Sequence, residues 1–274
     1  MRVRFALLAS CFAISLAIPA VQAQDFVGSG VAPATVGHSA ERPITFADSA
    51  GAGGALVMLL ADAALPALPG IALTEAERAA VTAAVASAKF EGKAGSTLSL
   101  RGIGNHSRIL LVGTGSAPNM LARAEAGGKA AQELRSDAAP VTISGALSGA
   151  EAADVAYGFA LGQYRFDRYK TVDHKVPPAD TVTLVGGDAA AAGAAYTSRH
   201  APLVDGVRLS RDLANEPANV IYPESFVAEV RKAFGNTAGV TIEVLDEPAM
   251  RKLGMGTIVG VGQGSPRGSR MMLV

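Results

Sequence analysis

The chain has 274 residues, of which 49% are hydrophobic and 18% charged, a balance typical of globular proteins. This length exceeds the usual domain size of about 100 to 200 residues, so two domains are expected. The 24 basic residues equal the 24 acidic residues, which argues against a nucleic-acid-binding surface or a polybasic membrane patch. Small-molecule or peptide partners are favoured instead.

The first 23 residues have the pattern of a secretory signal. Arg2 and Arg4 precede an apolar run from Phe5 to Ile18, and a small-x-small site ends at Ala23. The run is shorter than the roughly 20 residues of a membrane-spanning helix, so a stable anchor is disfavoured. Lipidation at Cys11, the only cysteine, is a weaker alternative. We predict a signal peptide over 1–23, export to the periplasm or medium after cleavage near Ala23, and a flexible leader over 24–42.

Strands and helices alternate through the next part of the chain. Thr74 and Glu77 have the spacing of a capping box at the start of a helix, and short apolar runs flanked by glycine favour buried strands. Predicted strands are 55–60, 97–100, 108–112, 141–144 and 181–185, and predicted helices are 75–89, 121–134 and 149–162. The alternation predicts an α/β domain over 43–195 with a mostly parallel or mixed sheet.

A long helix from Tyr196 to Ala214 is predicted to link this domain to a second one. Further predictions are a helix over 223–234 ending in a left-handed cap at Gly235, strands over 240–245 and 257–261, and a helix over 248–253. The last four residues, Met271 to Val274, are apolar and predict the opening of a strand. Because an unpaired apolar strand is an aggregation hazard, residues 196–274 are predicted to be the incomplete, truncated start of a second α/β domain.

No residue pattern by itself predicts a catalytic, cofactor-binding or metal-binding residue. Gly113-Thr114-Gly115 follows a strand but lacks the third glycine of a dinucleotide loop, and Gly128-Lys129 lacks the following hydroxyl of a phosphate-binding loop. The four histidines lack metal-ligand spacing, so surface or structural roles are expected. Asp246 and Glu247 favour a solvated turn over acid/base catalysis.

Three segments carry a specific resemblance to a known protein family. The segment 211–219, RDLANEPAN, is followed by Tyr222-Pro223-Glu224. It resembles the R-D-L-x-N-x-P-x-N…P start of the catalytic domain in the leucyl aminopeptidase (cytosol aminopeptidase) family. The segment 162–170, GQYRFDRYK, resembles the close of its N-terminal domain, and 108–115 is similar to one of its strands. The resemblance runs in the family's order from about residue 43 to the last residue. Tyr164, Phe166 and Tyr169 are expected to pack rather than to bind substrate, and Asn215 and Asn219 to shape turns.

The resemblance implies a macro-like N-terminal domain, a catalytic domain, hexameric assembly, peptide substrates and hydrolysis with two divalent ions, Zn or Mn. The family's ligands lie on G-K-G-x-x-[FY]-D-[ST]-G-G and N-T-D-A-E-G-R segments, which this sequence lacks. No catalytic or metal residue is therefore transferred, no metal is predicted to bind, and the chain alone is predicted to be inactive. Two hypotheses remain: part of an exported metalloaminopeptidase, or a non-enzymatic module for ligand binding or subunit association.

Overall fold

The computed structural model describes residues 41–170 and 180–274, and these form two compact units. One unit ends at Glu216, and the other is Pro217–Val274. The predicted signal peptide and nearly all of the predicted leader lie outside the described residues. The predicted domains, 43–195 and 196–274, stay predictions.

A six-stranded sheet forms the centre of the first unit. Its strands are β1 (Ile44–Ala47), β2 (Ala55–Leu60), β3 (Thr97–Leu100), β4 (Arg108–Gly113), β5 (Val141–Ser144) and β6 (Val182–Val185). They are arranged in the order β1-β6-β5-β2-β4-β3. The edge strand β3 is antiparallel to β4, and every other neighbouring pair is parallel. The predicted α/β class with a mostly parallel sheet is confirmed.

Helices cover both faces of this sheet. They are α1 (Glu75–Ala88), α2 (Met120–Glu133), α3 (Gly149–Gly162), α4 (Ala189–Ala195) and α5 (Ala201–Asn215). Along the buried strand β2, Leu56 and Met58 face α1 on one side, while Val57 and Leu59 face α2 and α3 on the other. This alternation follows from the two-residue period of a strand, and it gives the unit two apolar cores.

The helices α2 and α3 are in direct backbone contact through glycine. A Cβ atom at Gly158 would lie 1.7 Å from the carbonyl oxygen of Ala124, and one at Gly127 would lie 2.0 Å from that of Val155. Real carbon atoms do not approach a carbonyl oxygen so closely, so only glycine fits at either position. The close approach fixes where the first turns of both helices lie at the end of the sheet.

The helix predicted over 196–214 extends in the structure from Ala189 to Asn215 and contains a wide turn. Helix α4 begins after Asp188, whose carboxylate accepts from the Ala191 amide (2.9 Å), and a π-helical turn, Tyr196–His200, joins α4 to α5. Within this turn the Ala201 amide donates to the Tyr196 carbonyl, five residues earlier. Pro202, which follows, has no N–H with which to continue the usual ladder.

The second unit contains three helices and one strand pair. Helices α6 (Pro223–Phe234), α7 (Glu247–Lys252) and α8 (Gly256–Gly262) accompany strands β7 (Glu243–Leu245) and β8 (Met271–Leu273). The predicted helix over 223–234 is confirmed. The apolar run at Met271 is a strand as predicted, but it is paired, antiparallel to β7.

Two predictions in this unit are wrong. The predicted strand over 257–261 lies in helix α8, where Val259 is 1% exposed and Val261 is 84% exposed; in a strand both side chains would share a face. Gly235 has φ −61°, in the right-handed region, and not the predicted left-handed cap. The left-handed glycine comes four residues later, at Gly239 (φ 81°).

Across residues 41–170 and 180–274, no helix has both the length and the apolar character needed to cross a membrane.

Candidate functional site

A cavity of about 450 Å³ lies at the carboxyl ends of β2, β4 and β5. The chain leaves β2 towards α1 on one face of the sheet, and it leaves β4 and β5 towards α2 and α3 on the other face. The loops therefore diverge at this edge and leave a crevice between them. In open α/β sheets this divergence is the usual location of a ligand site.

The cavity walls are mainly small and apolar, with four polar residues. The apolar residues are Leu59, Ala61, Pro66, Ala117, Pro118, Ala146 and Leu147, and the polar residues are Thr114, Asn119, Arg123 and Glu151. Arg123 and Glu151 are the charged members of this lining. Their charges are opposite, and Arg123 also pairs with Asp154, which is outside the lining.

Arg123, on α2, is held in place by three groups. Its Nη1 atom donates to the Pro118 carbonyl (2.6 Å) and to Glu151 Oε1 (3.2 Å). Its Nε and Nη2 atoms donate to Asp154 Oδ2 (3.0 and 2.9 Å). A guanidinium bound in this way has one fixed orientation at the edge of the cavity.

Asp154 connects Arg123 to a buried histidine. Its Oδ1 atom lies 3.0 Å from His200 Nε2, and the His200 ring stacks on Tyr157 with centroids 5.0 Å apart. His200 and His106 are buried, so both have structural positions, while His38 and His174 lie outside the described residues. The wide turn at Tyr196–His200 brings His200 to α3, a contact that residue spacing does not indicate.

The two glycine-rich segments do not present backbone amides to the cavity. The Thr114 amide donates to the Leu60 carbonyl (2.8 Å) and the Gly115 amide to the Gly92 carbonyl (2.9 Å). Gly128 and Lys129 lie within α2, away from its first turn. Neither segment therefore has the geometry of a phosphate-binding loop.

A second cluster joins two of the segments that carry the family resemblance. We call Tyr164, Tyr169, Asp212 and Glu216 the tyrosine–carboxylate cluster. Tyr164 Oη donates to Asp212 Oδ1 (2.7 Å), and Tyr169 Oη donates to the Glu216 carboxylate, which also pairs with Arg168. Burial and the bond to Asp212 raise the pKa of Tyr164 to about 12. These tyrosines thus bind the end of α5, in keeping with a packing role.

Further contacts connect the same two segments. Arg211 Nη1 donates to the Leu161 carbonyl (2.8 Å), and its guanidinium lies over the Tyr164 ring, 5.3 Å from the centroid. Asn215 Nδ2 donates to the Arg211 carbonyl (2.8 Å), a contact with nearby backbone like the one expected of it. Together these contacts fix the last turn of α5 against residues 161–169.

The adjacent acidic residues of the second unit have structural contacts. Asp246 Oδ1 accepts from the Ala249 amide (2.9 Å) at the start of α7, and Glu247 Oε1 accepts from the Ser269 amide (2.9 Å). Glu224 and Arg270 form an ion pair (2.8 Å). Neither Asp246 nor Glu247 has the geometry of an acid/base pair.

The part of the chain that the structure describes contains no cluster of three or more His, Cys, Asp or Glu residues able to hold a metal ion. The described residues therefore do not fit the two-metal centre that the resemblance implies, and no chemical step can be assigned to such a centre here.

Two family models match the chain in order. One, described as the N-terminal domain of the cytosol aminopeptidase family, matches residues 57–173, and the other, described as its catalytic domain, matches residues 208–274. A probable cytosol aminopeptidase of Bradyrhizobium sp. is 41% identical over 203 residues, which cover 70% of this chain and 40% of that protein. One of Rhizobium etli is 37% identical over 248 residues, covering 86% of this chain and 49% of that protein. The chain thus spans less than half the length of these relatives.

Solved structures show the same fold. A mutant of tomato leucine aminopeptidase matches with a TM-score of 0.66 at 22% identity, covering 86% of this chain and 51% of that one. The bottromycin maturation enzyme BotP in complex with Mn matches with a TM-score of 0.57 at 20% identity, covering 80% of this chain and 44% of that one. At these identities the match supports the α/β fold alone.

The prediction of export is wrong. The relatives are named cytosol aminopeptidases, which points to the cytosol and not to an exported protein. The prediction depended on two arginines and a short apolar run at residues 1–23, and these local features do not outweigh the relatives. These residues lie outside the described part of the chain.

Proposed function

Because the chain belongs to the leucyl aminopeptidase (cytosol aminopeptidase) family, we propose that it forms the N-terminal domain and the beginning of the catalytic domain of a cytosolic aminopeptidase. This enzyme would remove N-terminal amino acids from peptides. The observation that carries the proposal is the ordered match of both family models, over residues 57–173 and 208–274. The contacts between residues 161–169 and the end of α5 support it, because they join segments from the two matched regions.

In the proposed enzyme, the tyrosine–carboxylate cluster of this chain would hold the end of α5 in position. The tyrosine–carboxylate cluster fixes α5 up to Glu216, directly before the second unit begins. We propose, on the example of the BotP complex with Mn, that the complete enzyme binds divalent ions. The described residues offer no ligand cluster for these ions. We therefore propose that the 274-residue chain alone is inactive, and that the enzyme assembles as a homo-oligomer, a hexamer as in the family.

A chimera tests this proposal. The part of the Bradyrhizobium relative that aligns with this chain would be replaced by the corresponding residues of this chain, and the rest of the relative kept. We expect the chimera to release p-nitroaniline from leucine p-nitroanilide with Mn²⁺, at a rate of the same order as the parent. The 274-residue chain under the same conditions is the control, and it should release none.

Two results would contradict the proposal. A chimera that is soluble and folded by circular dichroism, yet inactive while the parent is active, would show that this chain does not supply a working N-terminal portion. Metal-dependent activity of the 274-residue chain alone would show that it contains a catalytic centre of its own.

The second candidate is a ligand-binding module without enzymatic activity. The cavity at the carboxyl ends of β2, β4 and β5 favours it, since its volume lies within the roughly 300–1,000 Å³ range of small-molecule sites. A ligand site in this cavity would also be compatible with the proposed enzyme, because the cavity lies entirely in the first unit.

A further inference from the structure

The charges at the cavity indicate which ligands it can accept. Arg123 and Glu151 line the same cavity, and the remaining wall is mostly aliphatic. A multiply charged anion such as a nucleotide would gain from Arg123 and lose to Glu151, whose Oε1 atom is 3.2 Å from Arg123 Nη1. A ligand with one positive and one negative group matches both side chains.

Glu151 keeps its charge at neutral pH. The Ser148 backbone amide, which donates to Oε2 (2.9 Å), is the main cause that holds the pKa of the Glu151 carboxyl below its ordinary value. Ser148 Oγ donates to the same oxygen (2.9 Å). Oε1 accepts one bond, from Arg123, and a carboxylate oxygen has room for a second. An ammonium group could therefore bind at Oε1.

Arg123 is oriented before any ligand arrives. Asp154, the Pro118 carbonyl and Glu151 fix the guanidinium and accept from four of its five N–H groups. The second N–H of Nη2 is the group that can donate to a ligand carboxylate, and little side-chain entropy is lost when it does so. Asp154 is itself bonded to buried His200 and is not part of the cavity lining, but its carboxylate pairs with Arg123 and offsets part of the positive charge. A ligand carboxylate would therefore be held at a fixed position by a single hydrogen bond from Arg123.

The aliphatic wall of the cavity favours a ligand with an apolar side chain. Leu59, Pro66 and Leu147 offer apolar surface next to the charged pair, where an aliphatic side chain would lose contact with water. We propose that this cavity binds a free α-amino acid with an aliphatic side chain, its ammonium at Glu151 and its carboxylate at Arg123. The proposal does not depend on the proposed function, because the cavity is formed by the first unit alone.

Isothermal titration calorimetry of the full 274-residue chain tests this site. L-leucine is expected to bind, while N-acetyl-leucine, which lacks the ammonium, and leucinamide, which lacks the carboxylate, should each bind about tenfold more weakly or worse, since each loses a charge-assisted hydrogen bond. AMP serves as the anionic comparison and is not expected to bind.

Amino-acid substitutions test whether leucine binds in this cavity. Ala117 and Ala146 are exposed and line it, so Ala117→Trp and Ala146→Trp should fill the space and weaken leucine binding about tenfold or more. Ala83→Trp, at an exposed position of α1 outside the lining, is the matched control and should bind normally. Glu151→Gln keeps a residue type that completes a capping box but removes the charge, so it should weaken leucine more than N-acetyl-leucine.

Several results would overturn the proposal. These are no heat of binding with leucine, leucine binding that is equal in the Ala83→Trp and Ala146→Trp chains, or saturable binding of AMP in place of leucine. If leucine binds to this chain and the chimera is inactive, only the proposed function fails. If the chimera is active and leucine does not bind here, only the amino-acid site fails.

Discussion

Replacing Gly158 by alanine should destabilise the first unit through the contact between α2 and α3. The added Cβ would lie 1.7 Å from the Ala124 carbonyl oxygen and 2.6 Å from its Cα atom. Both are backbone atoms, so the helices must separate and disturb both apolar faces. Overpacking costs about 1–3 kcal/mol, with this position at the upper end, while alanine regains about 0.5–1 kcal/mol of helix propensity. The net loss in the free energy of unfolding should be about 2 kcal/mol.

Gly128→Ala is the matched control, at the residue directly after Gly127 on α2. A Cβ there would lie 3.4 Å from the Gly158 carbonyl oxygen, which is an ordinary contact. The higher helix propensity of alanine should therefore raise the free energy of unfolding by the full amount of about 0.5–1 kcal/mol. Urea unfolding followed by circular dichroism gives the free energies, and hydrogen exchange of α2 and α3 amides assigns the change to this unit. A Gly158→Ala chain as stable as the Gly128→Ala chain would refute the close approach of the two helices.

Two further predictions concern α5 and α4. Tyr164→Phe removes the bond to Asp212 and should cost about 1 kcal/mol. Because the folded pKa of Tyr164 is raised to about 12 from 10, this stabilisation is complete below pH 10 and is lost as pH rises through about 12. The pKa values of Tyr169 and Tyr196 are also raised, so an ultraviolet titration should show several late-ionising tyrosines, one fewer in the variant, and identical titrations would contradict the bond. Asp188→Ala should cost about 1 kcal/mol by removing the N-cap of α4, while Asp188→Ser should retain most of it; equal thermal unfolding of the two chains would count against this cap.

Local patterns were sufficient to predict most of the first unit. The fully apolar run at β2 and the capping box at Thr74 are local signals, and their elements have the predicted bounds within one residue. The family segments were recognised from their residues, and the tyrosine–carboxylate cluster shows that two of them are in contact. Their order along the chain could not show this, because 48 residues separate Tyr164 from Asp212.

The errors occurred where distant contacts decide the structure. The β-branched run at residues 257–261 has strand propensity, yet it forms α8 with Val259 inside and Val261 outside. His200 had no local partner in sequence, and its partner Asp154 is 46 residues away. The cavity was not predicted either, since its charged residues lie 28 residues apart on two helices. The prediction that the chain has no catalytic, cofactor-binding or metal-binding residue stays a prediction.

The π-helical turn at Tyr196–His200 allows α4 and α5 to face different neighbours. An α-helix advances about 100° per residue, so the one extra residue in this turn rotates everything after it by that angle. Ala192 on α4 can thus pack in the core beside the sheet while Asp212 on α5 faces Tyr164. The π-helical turn therefore sets the angle between the side of α4 that packs in the core and the side of α5 that faces Tyr164.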